Sequence, residues 1–176
     1  MSFSTALNIT AITSLEGTGK SIFQCWSLPG FAQSGQNGLI GANEIFLGDA
    51  ANSSYTVVPG HFEGGVHNSP NKQFAVFLAG VVELVLPPET LPIDDDAPYV
   101  TTAYIEGGVY GLIIAEDTLE DSAIGHNTIY PSGIETRVMQ IPFPDGILPN
   151  HTVIDPYGPC VYNELANRKR AIDELN

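Results

Sequence analysis

The sequence predicts an all-β domain, either a sandwich or a barrel, and three observations favour that class. Eighteen glycines and 13 prolines are spread through the 176 residues. They separate short runs rich in Val, Ile, Phe, Tyr and Thr, the residue types that favour strands. A helical period is found only near the end of the chain, where residues 163–175 contain neither Gly nor Pro. One domain is the simplest organisation for a chain of this length.

The candidate strands follow one another along most of the chain. They are residues 21–26, 44–47, 55–58, 73–78, 81–86, 99–106, 110–116, 127–130 and 136–141. The first follows Gly-Thr-Gly-Lys-Ser, which ends like a phosphate-binding loop but lacks its first glycine and precedes a strand pattern, so a turn is predicted there. Residues 86–98 predict a surface loop. Residues 141–159 hold five prolines and predict an extended arm, and residues 163–175 predict a short amphipathic helix.

Charge and hydropathy exclude two classes of partner. The chain has 20 acidic and six basic side chains, a net charge of −14, and a pI near 4.3. Only three of the cations, Lys20, Lys72 and Arg137, precede residue 168. A nucleic-acid backbone would be repelled by such a chain. No apolar run approaches the ~20 residues of a membrane helix, so no membrane partner is expected.

The cysteines and the N-terminus lead to expectations about compartment. Cys25 and Cys160 lie in neither a CxxC nor a zinc spacing. A bridge between them is one interpretation, but two separate buried thiols are favoured. The first residues show no basic region followed by a long apolar run, so a cytoplasmic protein is expected. A signal removed earlier would leave no trace, and secretion therefore stays open.

Residues 59–80 form the first segment that could carry chemistry. A Gly-rich approach leads to His67, a Pro turn follows, and a strand begins at Gln73. Along that strand Gln73, Ala75 and Phe77 share one face. Both faces are largely apolar, so Gln73 is expected to be buried and to need a hydrogen-bond partner. His67 is the expected partner.

Residues 110–127 form the second such segment. An apolar strand ends in Glu116 and Asp117, and Gly125 with His126 begins the next strand. Asp117 and His126 therefore flank one strand–loop–strand connection and are expected to meet at one end of a barrel. Two other histidines, His61 and His151, lie in Gly/Pro-rich stretches and are expected to be solvated.

Together these segments resemble the small single-domain cupins. In the first cupin motif His67 matches the first His, Ser69 the second His, Gln73 the acidic residue and Gly80 the closing Gly. The small-cupin variant with His, Pro and Gln-Phe-x-Val matches well, as does the later Asp-Thr and Gly-His signature. The resemblance covers roughly residues 15–142. It implies a double-stranded β-helix (jelly roll) barrel over residues 1–142, with residues 143–176, the arm and helix, packed on the barrel or on a homodimer partner.

The metal site of that family is degraded here. The family uses three His and one Glu, and of these only His67 is present. Ser69 and Gln73 are poor ligands, and the position of the third His falls near Ile113. The expectation is therefore a site without metal. The alternative keeps a divalent metal at His67 and His126.

The resemblance implies one pocket for a small molecule inside the barrel. His67, Gln73 and His126 are the candidate catalytic residues. The candidate substrate-binding residues are Trp26, Phe62, Ser69, Phe77, Tyr104 and Asp117. Structural interpretations stand beside these: Gln73 as a hydrogen bond to the loop, and Asp117 as the opener of a turn.

Three functions follow from the resemblance and these residues. The leading hypothesis is a metal-independent isomerase, cyclase or lyase acting on a small apolar molecule of the secondary-metabolite kind. A His would move a proton, and Gln73 would donate a hydrogen bond to developing negative charge. The alternatives are a metal-dependent cupin dioxygenase or lyase, and a non-catalytic barrel that binds a small ligand.

Overall fold

The computed structural model describes residues 5–88 and 99–161. Thirteen strands lie within these ranges. They are β1 (Ala6–Leu15), β2 (Lys20–Pro29), β3 (Ala32–Gln33), β4 (Asn43–Glu44), β5 (Ser54–Val58), β6 (Phe62–His67), β7 (Gln73–Ala79), β8 (Val81–Val85), β9 (Thr102–Glu106), β10 (Leu112–Ala115), β11 (His126–Tyr130), β12 (Thr136–Pro142) and β13 (Thr152–Asp155). A 3-10 turn spans Pro144–Gly146. No helix in the described ranges is long and apolar enough to cross a bilayer.

Most strands belong to two sheets that pack face to face. The large sheet has the order β13-β2-β1-β10-β7-β12-β5, and the small sheet has the order β6-β11-β8-β9. All pairs are antiparallel except β1 with β10, and β3 and β4 form a separate pair. The all-β prediction is confirmed. The described strands form a sandwich with no closed barrel, and the cupin jelly roll stays a prediction.

Strand parity gives the large sheet two apolar faces. The face toward the small sheet carries Ile12, Phe23, Phe77, Ile113 and Val138, which pack on Val82, Leu84 and Ile105. The opposite face carries Ile9, Trp26, Leu28, Phe74 and Ile114. Because each fully buried large apolar side chain contributes about 1.5–3 kcal/mol, both faces need a cover.

The segment that follows β12 covers the outer face of the large sheet. Phe143 meets Phe74 edge-on, with ring centroids 4.7 Å apart. Farther along, the His151 ring stacks on Trp26 at 3.6 Å, and β13 then pairs with β2 at the sheet edge. We call residues 143–161 the arm. The predicted helix at 163–175 and residues 89–98 of the predicted loop lie outside the described ranges.

A disulfide joins Cys25 to Cys160, so the expectation of two separate thiols is wrong. The pairing of β13 with β2 places Cys25 opposite Asp155 and brings the end of the arm back over β2. The backbone N–H of Cys160 also donates to Thr10 Oγ at 3.0 Å. Disulfides persist mainly in oxidising compartments, and the cytoplasmic location stays a prediction.

Four strands, β1, β3, β6 and β13, lie where the sequence pattern did not predict a strand. β1 is ten residues long and pairs with both β2 and β10. β6 coincides with the Gly-rich approach to His67, and all six of its residues are exposed. Its backbone pairs with β11 across a register shift, which accommodates two glycines that carry little strand propensity.

Candidate functional site

A cavity of about 70 Å³ lies between the sheets at one end of the sandwich. Its deep wall is apolar and includes Ile12, Phe77, Leu84, Ile113 and Val138. Its other side is polar and includes His67, Ser69, Gln73, His126, Thr128, Tyr130 and Gln140. Since one water occupies about 30 Å³ of liquid, the cavity holds a functional group and not a whole metabolite.

Gln73 enters this cavity from the first position of β7. Gln73, Ala75 and Phe77 face the interior, as the alternation predicts. Gln73 is only 3% exposed as a residue, and its side-chain amide makes no hydrogen bond to another described residue. The expected bond to His67 is not formed; His67 Nδ1 lies 2.8 Å from Gly65 O. The amide is therefore available to a ligand.

Cross-strand pairing brings His67 and His126 together. They are register partners in β6 and β11, and their ring centroids lie 5.0 Å apart. Gly125 makes this approach feasible: its φ is +84°, and a Cβ there would collide with the carbonyl oxygen of His67. Steric fit thus explains the glycine before His126, since a larger residue at position 125 would push β11 away from β6.

Asp117 is fully buried behind His126 and holds its ring. Asp117 Oδ2 lies 2.8 Å from His126 Nδ1 and accepts a hydrogen bond from Ser21 Oγ at 2.8 Å. Its Oδ1 accepts from Ser69 Oγ at 2.7 Å. The expected meeting of Asp117 and His126 occurs. Ser69 and Asp117, both expected to bind substrate, instead bond to each other, although Ser69 also lines the cavity.

Further groups support Asp117, and sequence reasoning missed them. Ser21 gives its hydrogen to Asp117, so Ser122 Oγ, 2.8 Å away, donates to Ser21 and itself accepts from the N–H of Gly125 at 3.0 Å. Asn68 donates to the backbone oxygens of Asp117 and Ser122. The only sequence signal for Ser21 was its place at the start of a strand, two residues before the inward-facing Phe23.

The hydrogen bonds assign donor and acceptor roles to both imidazoles. Gly65 O and the Asp117 carboxylate can only accept, so Nδ1 carries the hydrogen in both rings. In the neutral rings Nε2 is then a hydrogen-bond acceptor, and neither Nε2 has a protein partner among the described residues. Burial raises the pKa of Tyr130, which keeps its phenol neutral beside them.

An open groove of about 770 Å³ adjoins the cavity and shares His67, Ser69 and Pro70 with it. Lys72, the cation among the described residues that line it, lies 3.0 Å from Asp121 and 3.5 Å from Glu116. Burial alone would lower the pKa of Lys72, but the hydrogen bond to Asp121 and the two carboxylate charges raise it. The groove has the volume of a small-molecule site, and its lysine is already neutralised.

Three of the expected substrate-binding residues do not reach the cavity. Trp26 alternates with the inward Phe23 and Cys25, so it lies on the outer face under the arm. Tyr104 lies between the inward Ala103 and Ile105; it is 63% exposed and donates to Glu83. Phe62 is 46% exposed on β6; its ring lies 6.1 Å from that of its register partner Tyr130 and is not part of the cavity lining.

The cavity offers few metal ligands among the described residues. It offers two imidazoles and a neutral amide, whereas catalytic zinc and iron sites use three protein ligands that include charged or imidazole groups. The nearby carboxylate of Asp117 is already committed to three hydrogen bonds. Within the described ranges no three His, Cys, Asp or Glu side chains form a group able to hold a metal ion.

No model of a known protein family and no curated protein matches this chain. The cupin resemblance therefore stays a prediction from the spacing of His67, Gln73, Gly80, Asp117 and His126.

Proposed function

We propose that this protein is a cupin-type enzyme that moves a proton on a small molecule without a metal, as an isomerase, cyclase or lyase. One observation carries the proposal. The Asp117 carboxylate fixes His126 with Nδ1 protonated, which directs an accepting Nε2 to a cavity that also holds the unpartnered Gln73 amide. An imidazole oriented by a buried carboxylate is a suitable general base at neutral pH.

The chemistry needs no oxidant or co-reactant. His126 Nε2 takes a proton from the substrate, and the electron pair left behind shifts to a neighbouring bond or closes a ring. The same imidazole, or His67 beside it, returns the proton to the atom that receives the pair. Gln73 donates a hydrogen bond to the oxygen on which negative charge develops. Asp117 stabilises the imidazolium that forms in between.

The cavity and the groove would hold different parts of the substrate. Only its reacting end fits the 70 Å³ cavity, while the remainder lies in the 770 Å³ groove. The apolar deep wall, with Phe77 and Ile113, excludes water from the reacting end. This division supports a substrate larger than the cavity that is held in one orientation.

The test compares histidine variants on an extract of small molecules from the source organism, prepared in D₂O. Untargeted mass spectrometry follows which compounds change mass or gain deuterium. The wild type is expected to convert at least one compound. The His67→Ala/His126→Ala double variant should convert it about 10²–10⁴-fold more slowly. His61→Ala, which alters an exposed histidine, is the matched control.

Two outcomes contradict the proposal. Turnover by the double variant equal to that of the wild type would mean that the histidines are not needed and that the shape of the cavity alone accelerates the reaction. A compound that is bound tightly but recovered unchanged after long incubation would mean a binding protein and no enzyme.

A further inference from the structure

We propose that the group bound in the cavity is a hydroxyl, so that the substrate is an alcohol and neither a carboxylate nor an amine. This inference rests on the proposed function, since it names the class of molecule that the site would take. Three features of the site carry it: the acceptors, the unpartnered amide and the charges around the groove.

The two imidazole acceptors in the cavity need a ligand that donates a hydrogen bond. Nε2 of His126 and Nε2 of His67 both present lone pairs, because each Nδ1–H is already given to an oxygen. A ligand with no hydrogen to donate, such as a carboxylate, would bring its own lone pairs against them. Asp117 behind His126 adds a fixed negative charge on the same side.

The Gln73 amide requires a partner that can also accept. Gln73 is 3% exposed as a residue, lines the cavity, and makes no side-chain hydrogen bond among the described residues, so its N–H groups can donate to an acceptor on the ligand. A hydroxyl meets both demands, donating to one imidazole and accepting from the amide. An ammonium group cannot accept from the amide N–H groups, and it would give up its hydration in a cavity whose described lining residues include no carboxylate.

The charges around the groove oppose an anionic ligand. Lys72 is paired with Asp121 and Glu116, and the groove adds the carboxylates of Glu120 and Asp145. An anion would therefore meet net negative charge before it reached the cavity. An alcohol would meet no such barrier, and its hydroxyl is the group that His126 would deprotonate.

Three probes of one size test the inference on the whole protein: propan-1-ol, propylammonium and propionate. With the histidines labelled with ¹⁵N, NMR reports ligand binding at the Nε2 of His126 and of His67. Propan-1-ol is expected to shift both Nε2 signals, with weaker effects from propylammonium and none from propionate. Gln73→Leu should weaken propan-1-ol binding roughly fivefold, the loss of about one hydrogen bond. Gln33→Leu, in the exposed β3, should leave it unchanged.

Several results would overturn the inference. They are propionate or propylammonium binding as tightly as propan-1-ol, no shift of His126 with any probe at the highest concentration the fold tolerates, and equal binding by Gln73→Leu. Failure of the proposed function looks different: the alcohol would bind in the expected order while histidine variants left turnover unchanged.

Discussion

His126 and His151 share one local contact and differ in everything around it. Each Nδ1 lies near an oxygen, 2.8 Å from Asp117 Oδ2 in His126 and 2.9 Å from Pro149 O in His151. The His151 ring then stacks flat on Trp26 and helps to fix the arm. The His126 ring instead borders a cavity. A bonded Nδ1 therefore does not identify a functional histidine, whereas the surroundings of the rest of the ring do.

The same contrast separates two regions of the molecule. Under the arm, aromatic rings, strand pairing and a disulfide occupy the available contacts. At the cavity, the Gln73 amide and two imidazole nitrogens are left for a ligand. Changes under the arm are thus expected to lower stability and spare ligand binding, and changes in the cavity to do the reverse.

Trp26→Ala should give the largest loss of stability. Trp26 is 2% exposed and packs in the outer cluster and on His151, so its removal is expected to cost about 3–5 kcal/mol. Urea unfolding measures the change, with Phe46→Ala, at an 82% exposed aromatic, as the control. A loss no larger than that of the control would mean that the arm does not hold Trp26.

Removing the disulfide should cost about 2–5 kcal/mol, because it frees a loop with a sequence separation of 135 residues. Cys25→Ser/Cys160→Ser and the reduced wild type should show similar losses in thermal unfolding. Both should still bind propan-1-ol while folded. Loss of binding at a temperature where the variant is folded would link the arm to the cavity and break the contrast.

Asp117→Asn should affect both the stability of the fold and the binding of a ligand in the cavity. In the wild type, hydroxyl and imidazole hydrogens are donated to both carboxylate oxygens of Asp117. In the variant the amide nitrogen takes the place of one oxygen and cannot accept them, which is expected to lower the free energy of unfolding by about 1–3 kcal/mol. It should also move the His126 hydrogen from Nδ1 to Nε2, visible by ¹⁵N NMR. Asp121→Asn, at the partly exposed Lys72 pair, should cost less than about 1 kcal/mol. An unchanged His126 tautomer would contradict the role of Asp117.

Gln73→Leu should leave stability within about 1 kcal/mol of the wild type or raise it, because an apolar side chain of similar size replaces a buried amide that has no protein partner. Denaturant unfolding measures this beside the probe titration. A clear loss of stability would show that the amide has a structural role.

The smallest effect concerns high pH. The pKa of Tyr130 is raised by burial, and that of Lys72 is raised because its carboxylate partners outweigh burial. As pH rises above about 10, the unfolded chain releases these protons first. The contribution of Tyr130 and Lys72 to the free energy of unfolding is therefore complete below that pH. It is lost as the pH rises through the raised pKa values of these two groups in the folded protein. The Tyr130→Phe/Lys72→Met variant should lose less stability between pH 9 and pH 11 than the wild type, by less than about 1 kcal/mol.

Local pattern predicted part of this molecule. The alternation of β7 places Gln73 inside because strand parity is a local property. Asp117 and His126 are separated by one short connection, so their meeting could also be expected. The spacing that suggests a cupin arises from these same local segments.

Long-range register explains what the sequence did not show. Cys25 meets Cys160 only because β13 pairs with β2. Trp26 lies under the arm because β2 is the strand next to the edge of the large sheet, and the side chain of Trp26 is on the outer face of that sheet. Ser21 reaches Asp117 because β1 pairs with both β2 and β10, which no local pattern specifies.

Elemental analysis of the purified protein decides whether His126, held by Asp117, can move a proton without a metal. The wild type and His126→Ala are purified without chelator, and their elements are measured by mass spectrometry at known protein concentration. We expect far less than one iron, manganese, nickel or zinc per chain in both proteins. About one metal per chain in the wild type, lost in His126→Ala, would contradict it and make His67 and His126 metal ligands.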